Sequence, residues 1–437
     1  MTAPESPDQQ EDFSSAYKRF VLVMLTIVYA FNFIDRQLLV ILQEPIKAEM
    51  GLSDAQLGLL SGFSFALVYV IAGIPIAYWA DRGNRRNIVS MALAVWSGMT
   101  ALSGFAQNFG HLLLARVGVG LGEAGGSPPS HSMISDYFRP ENRGTALSFY
   151  SSGIYVGILL GFLFGGAIAE SFGWRTAFFV VGIPGVLFAV VLRLTIKEPP
   201  RGRWDDQATA QHKAGLGEVL ALLRSTPSFW YIAMATGFSA FVGYGNGNFM
   251  PSFLIRNHGM SLSEVGLVLA VAVGVTGIIG TVAGGYLADR FGAVDKRWYL
   301  WIPALGLLAS LPPYLLLLFS EQTSVVVGSL IVGNLVNTVY LGPSIAISHA
   351  LVPPSMRATA SALMFFVLNM IGLGMGPFFT GLNSDLLQPH FGEDSLRYSM
   401  LITLNAKFIA IYLYYQGARR LPKDLAMLKE KLATAAQ

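Results

Sequence analysis

The chain has 437 residues, of which 53% are hydrophobic and only 13% are charged. Soluble domains carry roughly 25% charged residues, so this composition indicates a membrane protein. The formal net charge of +3 is spread over loops, which favours contact with lipid over nucleic-acid binding. The sequence has no cysteine, so disulfides and thiol chemistry are excluded. Its first sixteen residues are polar and acidic, and no signal peptide is expected.

Apolar stretches of about twenty residues recur along the chain, which is the length a helix needs to cross the bilayer. They are too long and too uniformly apolar for the alternating strands of a membrane barrel. The sequence therefore predicts an all-α membrane protein with twelve transmembrane helices. We place these helices at 18–45, 54–80, 87–107, 110–137, 142–169, 175–196, 228–256, 262–288, 298–319, 324–351, 357–384 and 397–418.

The longest polar break follows the sixth predicted helix and divides the twelve helices six and six. Within this break, Leu216 to Leu223 has the pattern of a short amphipathic helix on the membrane surface. The predicted domains are an N-terminal tail (1–17), a six-helix bundle (18–196), a linker (197–228), a second six-helix bundle (229–418) and a C-terminal tail (419–437).

The distribution of basic residues predicts the orientation. If both termini lie on the inner side, 21 of the 29 Lys and Arg residues fall in inner segments and only 4 in outer loops. Basic residues concentrate on the cytoplasmic side of membrane proteins. We therefore expect both termini and the linker to be cytoplasmic, in a multi-pass protein of the bacterial inner membrane.

Three short patterns show that the second bundle repeats the first. Each pattern returns in the same order at a nearly constant spacing, from 208 to 215 residues. Two six-helix repeats with a binding site at their interface are a recurrent transporter design. The matching segments are 80–82 and 288–290 (Ala-Asp-Arg), 143–146 and 357–360 (Arg-x-Thr-Ala), and the glycine-rich 157–166 and 372–381.

Several of these motifs resemble those of the major facilitator superfamily. The loop AYWADRGNRR (77–86) is similar to its signature Gly-x-x-x-Asp-Arg-x-Gly-Arg-Arg, although Ala77 and Asn84 replace the two glycines. NFIDRQ (32–37) and RVGVGLGEA (116–124) resemble the first and fourth helices of the spinster family within that superfamily. The resemblance implies the major facilitator fold. It also implies alternating-access transport of a lipid-like anion, of the lysophospholipid or sphingoid phosphate type, with a proton gradient.

Four charged residues lie inside apolar runs, where charge is costly unless it faces a partner or a water-filled path. By helical rise, Asp35 lies about 15 Å below the outer surface, between Arg116 at roughly 9 Å and Glu123 at roughly 20 Å. Arg116 and Glu123 share a helix face. We predict that Asp35, Arg116 and Glu123, supported by Arg36, form the proton-coupling and substrate site. A permanently paired structural cluster is the alternative.

A second set of charges lies at the inner ends of the helices and is predicted to form an inner gate. We expect Asp81 to pair with Arg143 or to lie at a helix N-terminus, and Arg82 or Arg86 to pair with Asp136. Charges that serve only topology are the alternative. The predicted gate residues are Asp81, Arg82, Arg85, Arg86, Asp136, Arg143, Asp289, Arg290 and Arg357.

Aromatic and amide residues are candidates for the cavity wall, although packed or lipid-facing residues have the same sequence pattern. Lys407, in the last predicted helix, either extends to the surface or contacts an anion. The candidates are Phe33, Tyr69, Tyr155, Tyr244, Asn246, Asn369 and Lys407.

The leading interpretation is a secondary transporter that moves a lipid-like anion with protons. Alternatives are an organic-acid symporter or a drug/proton antiporter, and, from another class, a non-transporting receptor or channel. An enzyme is not expected, because the sequence has no nucleophile–base set, and it has no phosphate-binding loop for ATP. The expected partners are a small amphiphilic or organic-anion substrate, protons and membrane lipid. We expect a monomer without cofactor, metal or nucleic acid.

Overall fold

The structure is a computed structural model that describes residues 13–204 and 216–435. Over these residues the chain forms twelve long helices, α1 to α12, and the first half comprises α1 to α6. These are α1 (Ser15–Ile41), α2 (Asp54–Ala80), α3 (Arg85–Ser103), α4 (Phe109–Glu123 and Ser127–Tyr137), α5 (Pro140–Phe172) and α6 (Trp174–Thr195).

The second half comprises the other six long helices. They are α7 (Pro227–His258), α8 (Leu262–Gly292), α9 (Trp298–Phe319), α10 (Thr323–Ala350), α11 (Arg357–Val367, Leu368–Met375 and Gly376–Phe391) and α12 (Ser395–Leu404 and Ala406–Ala435). Short helices occupy Gln43–Met50, after α1, and Leu216–Arg224, before α7. The latter confirms the helix predicted in the linker.

Eight described stretches are long and apolar enough to cross a membrane, and one of them, Arg357–Lys431, contains both α11 and most of α12. The helices α3, α4 and α7 are not among them. α4 is interrupted after Glu123, and α3 begins with Arg85 and Arg86, which lower its mean hydropathy. α7 holds many small polar residues that pack inside the protein. The all-α prediction is confirmed.

α12 continues as a helix to Ala435, through most of the segment predicted to be a C-terminal tail. Asp424 on this extension accepts a hydrogen bond from the backbone N–H of Ser228 at 2.8 Å, close to the start of α7. A carboxylate at this position satisfies one of the unpaired N–H groups of the first helical turn. The extension is therefore part of the second half.

The internal repeat is visible in the local geometry of α2 and α8. Each begins with a capping box, formed by Ser53 with Gln56 and by Ser261 with Glu264, 208 residues later. Each then contains a π-helical turn, at Leu59–Phe63 in α2 and at Ala270–Val275 in α8, where the turn begins three residues later relative to the capping box. Turns of this kind are rare in helices, so their recurrence is a structural mark of the repeat.

We call the end of the bundle that carries both termini the proximal end, and the opposite end the distal end. A single cluster of buried apolar residues extends across both halves distally, including Leu38, Phe162 and Phe249. Towards the proximal end, a cluster around Trp96 lies mainly in the first half, and another around Tyr414 lies in the second. The two halves are thus joined distally and packed separately at the proximal end.

Glycine permits the close approach of the halves at the distal end. A Cβ atom on Gly381 of α11 would lie 2.1 Å from the carbonyl oxygen of Asp54, at the start of α2. A Cβ atom on Gly166 of α5 would lie 2.3 Å from the carbonyl oxygen of Leu262, at the start of α8. These distances are too short for any larger residue without movement of the backbone, so both interfaces depend on the absence of a side chain.

Candidate functional site: a charged centre in the first half

The four charged residues predicted from the apolar runs lie together between α1 and α4. Asp35 and Arg36 are on α1, and Arg116 and Glu123 are on the first segment of α4. Asp35 is 1% exposed, Arg116 is 2% exposed and Glu123 is fully buried. Burial of so much charge in a membrane domain is costly unless the groups are paired or functional.

Arg36 and Glu123 form the ion pair of this centre. The Arg36 Nε donates to Glu123 Oε2 at 2.8 Å, and the Arg36 Nη2 lies 2.7 Å from the same oxygen. The sequence analysis gave Arg36 only a supporting role, whereas the structure makes it the direct partner of Glu123. Adjacent residues on a helix differ by about 100° in direction, which charge pattern alone does not resolve.

Asp35 is buried without a hydrogen bond from any described residue to either of its carboxylate oxygens. Arg116, the nearest candidate partner by depth, has no nitrogen within 4.0 Å of a carboxylate among the described residues. The Arg116 Nε also lacks a hydrogen-bond partner there. Among the described residues, the centre thus contains one formed ion pair, Arg36 with Glu123, and two charged side chains without an ionic partner, Asp35 and Arg116.

Aromatic rings surround Arg36. Its guanidinium carbon lies 5.1 Å from the ring centre of Phe33, 4.7 Å from Phe65 and 5.5 Å from Tyr69. Tyr244 of α7 packs against the same apolar cluster as Tyr69, so the second half also reaches the centre. Phe33, Tyr69 and Tyr244 were predicted to line the cavity. Phe65 was not among those predicted residues, and its ring also faces the Arg36 guanidinium.

The remaining candidates for the cavity wall lie elsewhere. The Tyr155 hydroxyl donates to Thr281 Oγ1 at 2.9 Å, between α5 and α8, and Asn369 is half-buried on the π-helical turn of α11. Asn246 donates to the Met400 carbonyl oxygen at 3.1 Å and is buried between α7 and α12. Asn246 is therefore a packing residue in this structure.

Lys407 is fully buried and does not extend to the surface. Its Nζ donates to Ser310 Oγ at 2.5 Å and lies 4.1 Å from the ring centre of Tyr314. Both partners are on α9, so Lys407 joins α9 to α12. The structure gives this residue an interhelical contact that neither sequence alternative included.

At the proximal end, Asp136 pairs with Arg85. The predicted partner was Arg82 or Arg86, so this prediction was wrong. The fully buried Arg85 also donates through Nε to Glu198 Oε1 at 2.7 Å. The backbone N–H of Arg86 donates to Glu198 Oε2 at 2.8 Å. Glu198 lies in the predicted linker, and only the fold brings it beside the start of α3, so no sequence pattern predicts this contact.

The other predicted gate residues contact their own half or are exposed. Asp81 and Arg290 are exposed at the proximal ends of α2 and α8. The others are Arg82 (3.6 Å from the Tyr78 ring centre), Arg143 (donating to the Ser135 carbonyl at 2.9 Å), Asp289 (accepting from the Tyr299 hydroxyl at 2.7 Å) and Arg357 (donating to the His349 carbonyl at 3.4 Å). These contacts fit a proximal end at which the halves are apart.

A charge cluster at the distal end was missed by the sequence analysis. Arg256 of α7 bonds to Glu44 at 2.6 Å and to Asp54 at 2.7 Å, both in the first half. Lys47 adds a bond to Asp54 at 2.5 Å. Arg256 and Glu44 are 212 residues apart, and each looks like an ordinary loop charge in the sequence. We call these four residues the distal cluster.

Comparison with known proteins agrees with this architecture. The Major Facilitator Superfamily family model matches residues 25–377. An "MFS-type efflux pump" of Mycolicibacterium smegmatis is 36% identical over 406 residues, covering 92% of this chain and 93% of that protein. Human "Protein spinster homolog 1" is 27% identical over 454 residues, covering 95% of this chain and 86% of that protein.

A solved structure is similar over almost the whole chain. It is the crystal structure of a bacterial homologue of the human lysosomal transporter spinster, in an inward-facing and unoccupied conformation. It is 35% identical and superposes with a TM-score of 0.89, covering 94% of this chain and 99% of that one. This chain therefore belongs to the major facilitator superfamily of multi-pass membrane transporters, is not an enzyme, and is similar to the spinster proteins within that superfamily.

Proposed function

We propose that the chain is a proton-coupled secondary transporter of amphiphilic anions that works by alternating access, with the charged centre as its coupling and binding site. The observation that carries the proposal is the buried Asp35 carboxylate, which has no ionic partner among the described residues, together with Arg116, which has no carboxylate partner among them. A permanent structural cluster would pair both. In a membrane interior such unpaired groups mark proton and substrate paths.

Proton binding to Asp35 follows from its surroundings. An isolated carboxylate transferred to an apolar interior loses its hydration at a large cost, and it avoids this cost by taking up a proton. In the proposed cycle, Asp35 is protonated in the distally closed state and releases its proton when water or Arg116 reaches it. The Arg36 guanidinium, 2.7 Å from Glu123, favours the charged form of that carboxylate.

The binding side of the centre suits an anion with an apolar part. A guanidinium binds phosphate or carboxylate through two parallel hydrogen bonds, and the Arg116 guanidinium is not engaged by a carboxylate of the described residues. The ring centre of Phe65 lies 5.4 Å from the Arg116 guanidinium carbon, and Phe33 and Tyr69 continue this apolar wall around the neighbouring Arg36. A lysophospholipid or a sphingoid phosphate combines these two features.

The structure is in a state that is closed distally and open proximally. With 21 of 29 basic residues assigned to the proximal side, the positive-inside rule makes this side cytoplasmic, together with both termini. In that orientation the described state is inward-facing. The bacterial relatives support a location in the bacterial plasma membrane.

The test is uptake into proteoliposomes that contain the purified full chain. Radiolabelled lysophospholipid, an organic acid and a cationic drug are compared, each with and without an imposed pH gradient. We expect the lysophospholipid to be moved and the gradient to accelerate it, and Asp35→Asn to abolish the acceleration. Asp295→Asn is the control, because the ionic partner of this proximal aspartate within the described residues is its near neighbour Arg297. Equal pH dependence in Asp35→Asn and wild type would refute the coupling role.

A drug/proton antiporter is the second candidate, because the mycobacterial relative at 36% identity is an efflux pump. The same assay separates the two. Accumulation of the cationic drug against a proton gradient, with no lysophospholipid movement, would select this alternative. Passive flux of any solute without saturation would instead favour a channel.

A further inference from the structure

Asp385 joins the two halves at the distal end without belonging to the distal cluster. This residue of α11 accepts hydrogen bonds from the backbone N–H groups of Asp54 and Ala55, at 2.9 and 2.8 Å. These are the first two residues of α2, which is in the opposite half. The first N–H groups of a helix have no partner inside the helix, so Asp385 completes the cap of α2 from across the interface.

The interface between α5 and α8 repeats this arrangement. Glu170 of α5 accepts a hydrogen bond at 2.7 Å from the backbone N–H of Ser263, in the first turn of α8. In the repeat, α11 corresponds to α5 and α2 corresponds to α8. Each half therefore supplies one carboxylate to a helix N-terminus of the other half.

The local charge balance explains why a further carboxylate is stable beside the distal cluster. Glu44 and Asp54 already face two cations, Lys47 and Arg256. Asp385 adds a third negative charge, and the partial positive charge at the N-terminus of α2 offsets it. Charge-assisted bonds of this kind are stronger than those between neutral groups. They exist only while the halves are in contact.

We propose that Asp385 and Glu170 are a symmetry-related pair of latch residues that hold the distal side closed during the transport cycle. When the distal side opens, the N–H groups of Asp54, Ala55 and Ser263 lose these carboxylate partners, whereas the capping box within each helix remains. Removal of either carboxylate therefore shifts the protein towards the distally open state. The inference rests on the proposed alternating access but not on the identity of the cargo or on proton coupling.

The experiment measures the separation of the two halves directly. The sequence has no cysteine, so introduced cysteines carry spin labels without background. Gln107→Cys with Gln322→Cys labels exposed distal positions in opposite halves, and Glu141→Cys with Val294→Cys labels exposed proximal positions. Distance distributions are recorded by double electron–electron resonance on the full chain in lipid nanodiscs, without substrate.

Asp385→Ala should raise the ratio of distally open to distally closed protein on the order of fivefold, the effect of losing one helix cap. Glu170→Ala should shift the ratio in the same direction by less, because Glu170 is exposed and accepts one backbone bond where Asp385 accepts two. Asp385→Asn keeps an acceptor oxygen without the charge, so a smaller shift is expected. If Asp385→Ala does not fold, Asp385→Asn provides the distance measurement in its place. The proximal pair should move in the opposite sense.

Asp394→Ala is the matched control. Asp394 is also a distal carboxylate, but its bonds to Asn257 at 3.1 Å and Arg397 at 3.0 Å stay within the second half. Unchanged distances in the folded Asp385 and Glu170 variants, or an equal shift in the control, would overturn the proposal. Shifted distances in a protein that moves none of the tested solutes would retain the latch and reject the transport assignment.

Discussion

The charged centre and the distal cluster use the same chemical groups but pair them differently. In the distal cluster, Arg256 binds both Glu44 and Asp54, and Asp54 also binds Lys47. Every one of these charges therefore has an opposite charge within hydrogen-bond distance. The cluster also joins the two halves, so its full pairing stabilises one position of the halves relative to each other.

In the charged centre the pairing is incomplete. Arg36 and Glu123 bond to each other, whereas Asp35 and Arg116 have no ionic partner among the described residues. An unpaired buried charge raises the energy of the state that contains it, and this cost falls when a proton or an anion arrives. The comparison suggests that paired charges hold the conformation and that unpaired charges do the binding.

The largest effect is expected from Arg36→Ala. This change leaves Glu123 buried and unpaired, which costs about 3–5 kcal/mol of unfolding free energy. The double variant Arg36→Ala with Glu123→Gln removes the stranded charge and should recover most of that loss without restoring transport. Thermal and denaturant unfolding in detergent measure both variants. A single variant as stable as the wild type would show that the pair is not buried as described.

Arg116→Ala should behave in the opposite way. No ion pair is broken, so the loss of unfolding free energy should be smaller than that of Arg36→Ala and should come from the cavity left by the buried side chain. Transport of an anionic substrate should fall on the order of tenfold to a hundredfold, because a charge-assisted bond of about 1.5–3 kcal/mol is lost. Arg116→Lys should restore little if two parallel bonds are needed. A large loss of stability with normal transport would assign Arg116 to structure instead.

The fold was largely predictable because apolar length and the internal repeat are strong signals. The sequence identified the unpaired residues for the same reason, since a charge inside an apolar run is conspicuous. Partners were harder to predict. Asp136 pairs with Arg85 rather than Arg86, and Glu123 pairs with Arg36. Both pairings depend on the rotation of each helix about its axis. Rotation is determined by packing against distant segments, and sequence spacing does not report it.

The distal contacts show a second limit of sequence analysis. Arg256 and Glu44 lie at helix ends, where charged residues are common and usually solvated. Only the docking of one half on the other brings these residues together, 212 positions apart in the chain. Paired charges at an interface thus leave a weaker sequence signal than unpaired charges in an apolar helix, although the structure shows both equally clearly.

A smaller effect is expected from Gly381→Ala at the distal interface. The new methyl group would lie 2.1 Å from the Asp54 carbonyl oxygen, and such overpacking costs about 1–3 kcal/mol. The cost falls only on the distally closed state, so the distal spin-label distance should lengthen. Gly328→Ala is the control, because a Cβ atom there meets no other atom within 4 Å. Equal distance distributions in the two variants would contradict the described contact.

The smallest effect is expected from Lys407→Met. Lys407 is buried like Asp35, but its ammonium group has a hydroxyl partner, Ser310, and an aromatic neighbour, Tyr314. Replacement of a buried charged group by an apolar side chain of similar length is often neutral or stabilising, so stability should change by about 1 kcal/mol or less. Transport and its pH dependence should stay within about twofold of wild type, because Lys407 faces α9 rather than the centre. Uptake by this variant is measured beside Asp35→Asn at matched reconstitution. A loss of pH-driven uptake in Lys407→Met would place a second proton site in the second half. Lys407, a buried charge without a carboxylate partner among the described residues, would then be a functional residue like Asp35.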